Sequence, residues 1–376
     1  MLQGGEGTTH RSARCHWLAA FATMWAGGNA LASDDSATIG ARDEGKLTLF
    51  PALFYTPETS MVMGGMAMYA FRPPGSDPSA RRSGLPIFAA FTLKNQFIVA
   101  TRPNVYFNGE RWNAEGSFEA SYFPDTVYPD GRSTQESDGE KFTSRRVVFE
   151  PQLTRLVWRS LRMGVRGTLR YMGLTETEPG GIFETRMLSG ASGGFRTGFG
   201  PVIVWDNRDN NFTTYRGGRH ALSATVYSKN IGSTNDFSVV AFDTRQFFTL
   251  WPEHVLGIEA FGHLGQGDVP FDMRGRLGGP SRFRGLFEGR FSDRNLLAAQ
   301  MQYSFPVVSW LRLAAFGGAG QVARGLTDFD VGELVYTGGG GLRIALNRKD
   351  RVNLRIDVAG ASTGDVNFYV HMIEAF

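Results

Sequence analysis

The stretch "LRMGVRGTLRY" (Leu161–Tyr171) decides the fold. Leu161, Met163, Val165, Gly167, Leu169 and Tyr171 share one parity, and Arg162, Gly164, Arg166, Thr168 and Arg170 share the other. Strict alternation is the period of a β-strand. An ordinary soluble strand runs about 5–6 residues, whereas a tilted strand needs about 9–11 to cross a bilayer. "RWNAEGSFEASYF" (Arg111–Phe123) and "RVNLRIDVAG" (Arg351–Gly360) hold the same pattern over comparable lengths. Against lipid, each arginine near the midplane costs about 2–4 kcal/mol, so Arg162, Arg166 and Arg170 together demand a wet interior. The apolar parity then meets lipid. A soluble sandwich would bury the same apolar face, but it explains neither the strand length nor the charge density opposite.

Working outward, alternating segments fall near 46–55, 60–72, 86–94, 96–106, 111–123, 142–157, 160–174 and 196–207. The second half adds 217–231, 234–248, 254–267, 294–306, 309–322, 333–346, 350–361 and 365–376. That predicts an all-β, transmembrane antiparallel β-barrel of about 16 strands, an even number as single-chain bacterial barrels require. Glycine supplies 48 of 376 residues, against a usual ~7%, and has no collagen-like period. With plentiful phenylalanine this composition favours sheet and turn. A formal charge of +3 lacks the strongly basic footprint of a nucleic-acid binder. Short links at Asn95–Gln96 and Gly364–Asp365 suit periplasmic turns. The longer segments 73–84, 124–141 and 183–198 suit the outside surface.

Residues 1–32 read as a signal peptide. Arg11 and Arg14 precede the apolar run "WLAAFATMWA", and Ala30-Leu31-Ala32 is a small-residue cleavage site. The only cysteine, Cys15, falls within it, so the exported chain relies on sheet and packing alone. The run is too short to span a bilayer as a helix. Residues 33–45 form a short periplasmic segment, and the barrel occupies 46–376. The chain ends on Phe376, with Phe368, Val370 and Met372 on the same parity. These four are expected to face outward as a C-terminal assembly signal, with Glu374 near the membrane interface. His371 is expected to face inward.

The last hundred residues carry "FRGLFEGRFSDRN", "QMQYSFPV", "LAAFGGAGQV", "GGGGLRIAL" and "NLRIDVAG" in that order, before the terminal Phe. "DNRDNN" (Asp206–Asn211) with "YRGGRHALSATV" precedes them, and "FPALFYTPETSMVMGGMAMYAF" opens the barrel. Together these resemble the BamA/TamA family of outer-membrane barrels (bacterial surface antigens, outer-membrane protein 85 superfamily), in a barrel-only subgroup without polypeptide-transport-associated domains. The resemblance implies that a long extracellular loop folds into the lumen and docks through an aromatic-Arg-Gly-aromatic tip. Here the matching residues are Phe283, Arg284, Gly285 and Leu286. A guanidinium suits that task because it is permanently charged and offers several fixed donors. The two wall positions where the family carries carboxylates read Gln302 and Gly318. By strand parity the remaining possible loop partners are Gln300, Gln302 and Asp357.

The resemblance further implies a role in outer-membrane protein insertion, translocation or membrane biogenesis. Its partners would be outer-membrane lipids and lipopolysaccharide, the barrel-assembly machinery for its own insertion, and outer-membrane or secreted client proteins. The alternative is a plugged small-solute channel or a structural barrel. Insertion predicts weak pairing between the first and last strands, and Pro51 in the first strand cannot donate to a ladder. No enzyme is expected. His220, His254, His263 and His371 lack metal-ligand spacing, and no Gly-x-Ser-x-Gly elbow occurs. No cofactor and no metal is expected. Gly338–Gly341 lacks the lysine of a phosphate loop, and such glycines relieve crowding beneath a lumen loop or at a bend.

Overall fold

A computed structural model describes residues 45–74, 82–185, 188–210, 213–348, 351–372 and 374–376. The expected signal peptide and nearly all of the expected periplasmic segment 33–45 lie outside these residues. Strands β1 (Lys46–Thr56), β2 (Ser60–Phe71), β3 (Ser83–Thr92), β4 (Phe97–Thr101) and β5 (Asn104–Phe107) open the sheet. β6 (Trp112–Val127), β7 (Glu140–Trp158), β8 (Leu161–Thr177), β9 (Gly194–Asp206) and β10 (Gly217–Tyr227) follow. Next come β11 (Phe237–Trp251), β12 (His254–Gly267), and two three-residue strands, β13 (Gly275–Leu277) and β14 (Phe291–Asp293). β15 (Asn295–Val308), β16 (Leu311–Ala323), β17 (Val335–Asn347), β18 (Val352–Ala361) and β19 (Val366–Met372) complete the chain.

Every neighbouring pair in the main sheet is antiparallel, and β19 returns to β1 to close it. β4 and β5 are halves of one stave, both paired with β3 and β6. The barrel therefore has sixteen staves. The expected continuous strand over 96–106 is broken at Arg102–Pro103, where proline has no N–H to give the ladder. The carbonyl of Pro103 instead accepts from Gly116 N at 3.2 Å.

Antiparallel alternation fixes which end of the barrel each connection occupies. Segment 268–294, between β12 and β15, shares its rim with the connections at 57–59, 93–96, 128–139, 178–193, 228–236, 324–334 and 362–365. The chain's C-terminal end and residues 72–74, 82, 207–210 and 213–216 lie at the opposite rim, with the tight hairpins 159–160, 252–253 and 309–310. This corrects the sorting of loops by length. Asn95–Gln96 and Gly364–Asp365 sit beside the long loop 268–294, and the described ends of 73–84 (73–74 and 82–84) sit at the other end. Length is set by what a loop packs against; side is set only by counting staves. We call these ends the loop rim and the turn rim.

The two faces separate as the alternation requires. Phe199, Val165, Leu53 and Val358 point outward and are more than half exposed, as lipid-facing residues are when the bilayer is absent. All five described tryptophans, Trp112, Trp158, Trp205, Trp251 and Trp310, lie at the turn rim, where an amphipathic ring suits the membrane interface. Trp205 stacks on His220 with ring centres 5.0 Å apart.

The interior is not uniformly wet. Along β7–β9 it is charged, with Glu150 bonded to Arg166 at 2.6 Å and Arg170 at 2.5 Å. On β1–β4 and β6 the inner face is an apolar core of Ala52, Phe54, Val62, Phe88, Ala90, Ile98, Ala100 and Phe123. The near-continuous apolar runs "MVMGGMAMYAF" and "IFAAF" carry that signal, since a strand buried on both faces loses its alternation.

Candidate functional site

Loop 268–294 builds the site. Its stem is the β13–β14 ladder, from Gly275↔Asp293 to Leu277↔Phe291. Gly278 and Gly279 then turn the chain at φ +108° and +112°, a region glycine enters without a Cβ penalty. A Cβ at Gly278 would stand 2.4 Å from the Phe287 carbonyl. At the tip Gly285 has φ +105°, and a Cβ there would meet the Gly360 carbonyl of β18 at 2.7 Å. Only glycine lets the loop backbone come this close to the wall.

Phe283 and Leu286 are completely buried with Phe261, Leu277, Phe291, Leu296 and Val322. The Phe283 ring rests where side chains are missing from β16. Cβ atoms at Gly318 and Gly320 would approach it to 3.3 and 2.9 Å. Gly318, where a carboxylate was expected, is thus part of the seat of an aromatic ring.

Arg284 lies among the inward residues of β15–β18. Its Nη1 donates to Asp357 Oδ2 at 2.7 Å and to Gln302 Oε1 at 3.0 Å. Its guanidinium carbon sits 3.4 Å from the centre of the Phe316 ring. Asp357 is shared: Arg343 Nη1 reaches Oδ1 at 2.5 Å and Arg355 Nε lies 3.4 Å from Oδ2. Arg343 also binds Glu374 at 2.8 Å and Gln302 at 3.0 Å. Arg355 donates to the Pro280 carbonyl at 2.7 Å. Three buried guanidiniums thus surround two carboxylates.

The other candidate partner, Gln300, accepts from Phe283 N at 3.4 Å and donates to the Ser281 carbonyl at 3.1 Å and to Glu259 at 2.5 Å. Gly285 N donates to the Tyr369 hydroxyl at 3.0 Å, and Asn367 donates to the Gly285 carbonyl at 2.7 Å. Arg282 binds Glu259 at 3.2 Å and also Asp243. The loop therefore touches β11, β12, β15, β16, β18 and β19. Arg343, Arg355, Glu374, Tyr369 and Glu259 were missed from sequence. Parity sets Glu374 outward and leaves the others inward or open, and only the fold says which inward residues lie under the loop.

The barrel's closure is the second part of the site. Among the described residues β1 and β19 meet through a single ladder pair, Tyr55↔Val370, whereas β1 and β2 pair from Lys46↔Ala70 to Thr56↔Ser60. Continuing the seam register would set Met372 opposite Leu53 and Glu374 opposite Pro51. The expected last strand over 365–376 instead stops at Met372. Phe368 does face outward, 6.1 Å from the Tyr55 ring. Glu374 and Phe376 depart from the expected outward parity. Glu374 turns inward onto Arg343 and Gln302, and Phe376 packs on the inner face against Phe247 at 6.1 Å and beside Gly257. The physical reason is that Pro51 has no N–H for the ladder, while the lumen offers Glu374 charge-assisted bonds.

A third element covers the turn rim. Residues 207–210 and 213–216, between β9 and β10, reach β18, which lies six staves beyond β10. Asp209 binds Arg351 at 2.7 Å, and Thr213 accepts from Asn353 at 3.1 Å. The Tyr215 ring has Arg351 at 4.2 Å and Arg312 at 4.9 Å, and its hydroxyl accepts from Arg312 at 3.0 Å.

The profile of the Omp85 superfamily domain matches residues 95–359. Among solved structures, BamA from Haemophilus ducreyi lacking POTRA domains 1–3 is similar, with a TM-score of 0.62 at 12% identity over 88% of this chain and 70% of that one. CdiB from Escherichia coli gives 0.60 at 13% identity, over 89% of this chain and 63% of that one. CdiB from Acinetobacter baumannii gives 0.57 at 12% identity, over 89% and 60%. The chain thus spans under two thirds of the length of either CdiB. No curated protein sequence matches it.

Proposed function

Because the chain belongs to the Omp85 superfamily, we propose that it is an outer-membrane barrel that inserts or translocates polypeptides through its β1–β19 seam. The observation that carries this reading is the single ladder pair at Tyr55↔Val370. Among the described residues the backbone of β1 along Lys46–Phe54 has a ladder partner only on the β2 side. An unpaired strand edge is a template for another strand. A client strand laid along it would complete the ladder that β19 leaves unfinished. In this reading loop 268–294 keeps the lumen closed and braces β11, β12, β15, β16 and β18, so that opening is confined to the seam. The role needs no catalytic step and no cofactor. Its partners are outer-membrane lipids and lipopolysaccharide, the barrel-assembly machinery that inserts the chain itself, and client proteins with strand-forming segments.

The test is a cysteine pair, Tyr55→Cys with Val370→Cys, in protein reconstituted into vesicles. Insertion of an unfolded eight-stranded barrel is followed before and after oxidation. Locking is expected to abolish insertion and reductant to restore it; undiminished insertion through a locked seam refutes the reading. A channel reading is favoured by one observation, the partial solvent exposure of the inward Arg166 and Arg219 side chains. A large, steady conductance across planar bilayers would decide for it.

A further inference from the structure

The loop also meets the first hairpin, through two carboxyl groups that sequence reading did not single out. Glu58 in turn 57–59 is fully buried, and Glu288 in the loop is 3% exposed. Glu288 N donates to Glu58 Oε1 at 3.4 Å. The Oε2 atoms of both residues are buried without a hydrogen-bond partner. Two carboxylates in one dry site cannot both ionise cheaply, so such pairs retain a proton. We propose that Glu58 and Glu288 form a proton-held latch that ties loop 268–294 to the β1–β2 hairpin and releases it as pH rises.

The groups facing the pair leave it under-neutralised. On the hairpin side, Thr56 and Thr59 bond to each other at 3.0 Å. Lys94, from the β3–β4 turn, donates to the carbonyls of Pro57 and Glu58 at 2.8 and 3.0 Å. Tyr369 faces Glu58 from β19, and its hydroxyl accepts from Gly285 N. On the loop side Arg276 is the positive group that acts most strongly on Glu288. Arg282 is committed to Glu259 and Asp243. Asp125 of β6 adds a further negative charge, itself held by Arg146 at 2.7 Å.

Burial is the first cause that pushes Glu58 up to about 7 and Glu288 up to about 8, and the charge of Glu58 raises Glu288 further. A carboxyl raised in the folded state binds its proton more tightly there than in the unfolded chain. Its stabilisation is complete below the ordinary carboxylate range and is lost as pH climbs through about 7 and then about 8. The latch is thus closed in mildly acidic surroundings and open in alkaline ones. Its regulatory meaning rests on the reading that this loop holds the lumen closed.

The experiment is amide hydrogen exchange of residues 285–290 in the full chain refolded into vesicles, from about pH 6 to about pH 9, with protection corrected for the intrinsic base-catalysed rate. Protection is expected to fall with rising pH by about tenfold per pH unit for each carboxyl still protonated in the closed state, and to level off above about 8, while strands β6–β8 stay flat. Glu288→Gln and Glu58→Gln, neutral and nearly isosteric, are expected to remove the step; their folding is checked by gel mobility without heating. Flat protection in the wild type, or a step that survives in both variants, overturns the latch. So does a step that appears only with a chelator, which would assign the site to a bound cation. Conductance of Arg284→Ala separates the two ideas: if it equals the wild type while the exchange step persists, the lumen-closing reading fails and the latch stands.

Discussion

Replacing Asp357 by asparagine should damage the barrel more than replacing Arg284 by alanine, although Arg284 is the tip of the loop. Three guanidiniums, Arg284, Arg343 and Arg355, face Asp357 and Glu374. Removing Arg284 leaves two cations against two carboxylates, and Asp357 keeps both remaining partners. The loss is then one charge-assisted hydrogen bond, worth about 1.5–3 kcal/mol, and a desolvated cation–π contact with Phe316, worth about 2 kcal/mol. Because Asp357 re-pairs, the sum is discounted to about 2–3 kcal/mol. Removing the charge of Asp357 strands three buried cations on one carboxylate, and breaking buried pairs in this way costs about 3–5 kcal/mol. In Arg284→Ala with Asp357→Asn the excess positive charge is relieved, so the double variant should be less destabilised than the sum by about 1–3 kcal/mol. The assay is a urea titration in vesicles read by gel mobility without heating and by fluorescence of the turn-rim tryptophans. Arg284→Ala should also lower the temperature at which the folded band is lost. Equal costs, or additivity within about 0.5 kcal/mol, would refute the shared-charge account.

Two further outcomes follow from the geometry. Gly285→Ala sets a Cβ 2.7 Å from the Gly360 carbonyl at φ +105°, so where a glycine-to-alanine change at a compatible site stabilises by about 0.4–1 kcal/mol, this one should destabilise by more than that and raise exchange at 283–287. Tyr215→Ala removes the ring between Arg312 and Arg351; it should cost about 1–2 kcal/mol and increase single-channel conductance, and an unchanged conductance would show that segment 207–216 does not close the turn rim.

Much of this was legible in the sequence because a lipid-facing strand has a two-residue period that survives any twist. The spans around Leu161–Tyr171 and Arg351–Gly360 are observed nearly where alternation put them. Asp357 and Gln302 stood out by parity, and they do meet Arg284. What failed was non-local. The rim of Asn95–Gln96 depends on counting every stave before it. The inward course of Glu374 depends on Arg343, thirty residues upstream, offering a better partner than the edge beside Pro51. Apolar inner faces on β1–β4 blurred the alternation, since both sides of those strands avoid water.

β19 has only seven residues, against nineteen in β7. At about 3.4 Å per residue and a tilt near 40°, seven residues climb about 18 Å, short of the ~25 Å apolar band of such barrels. Acyl chains beside the seam must therefore compress by several ångströms or leave the shortfall to be covered by something else. Elastic mismatch costs fractions of a kcal/mol per ångström, so the bilayer there is under standing stress. That stress is relieved by whatever lengthens the wall, which makes the surrounding lipid itself a force favouring the addition of a strand.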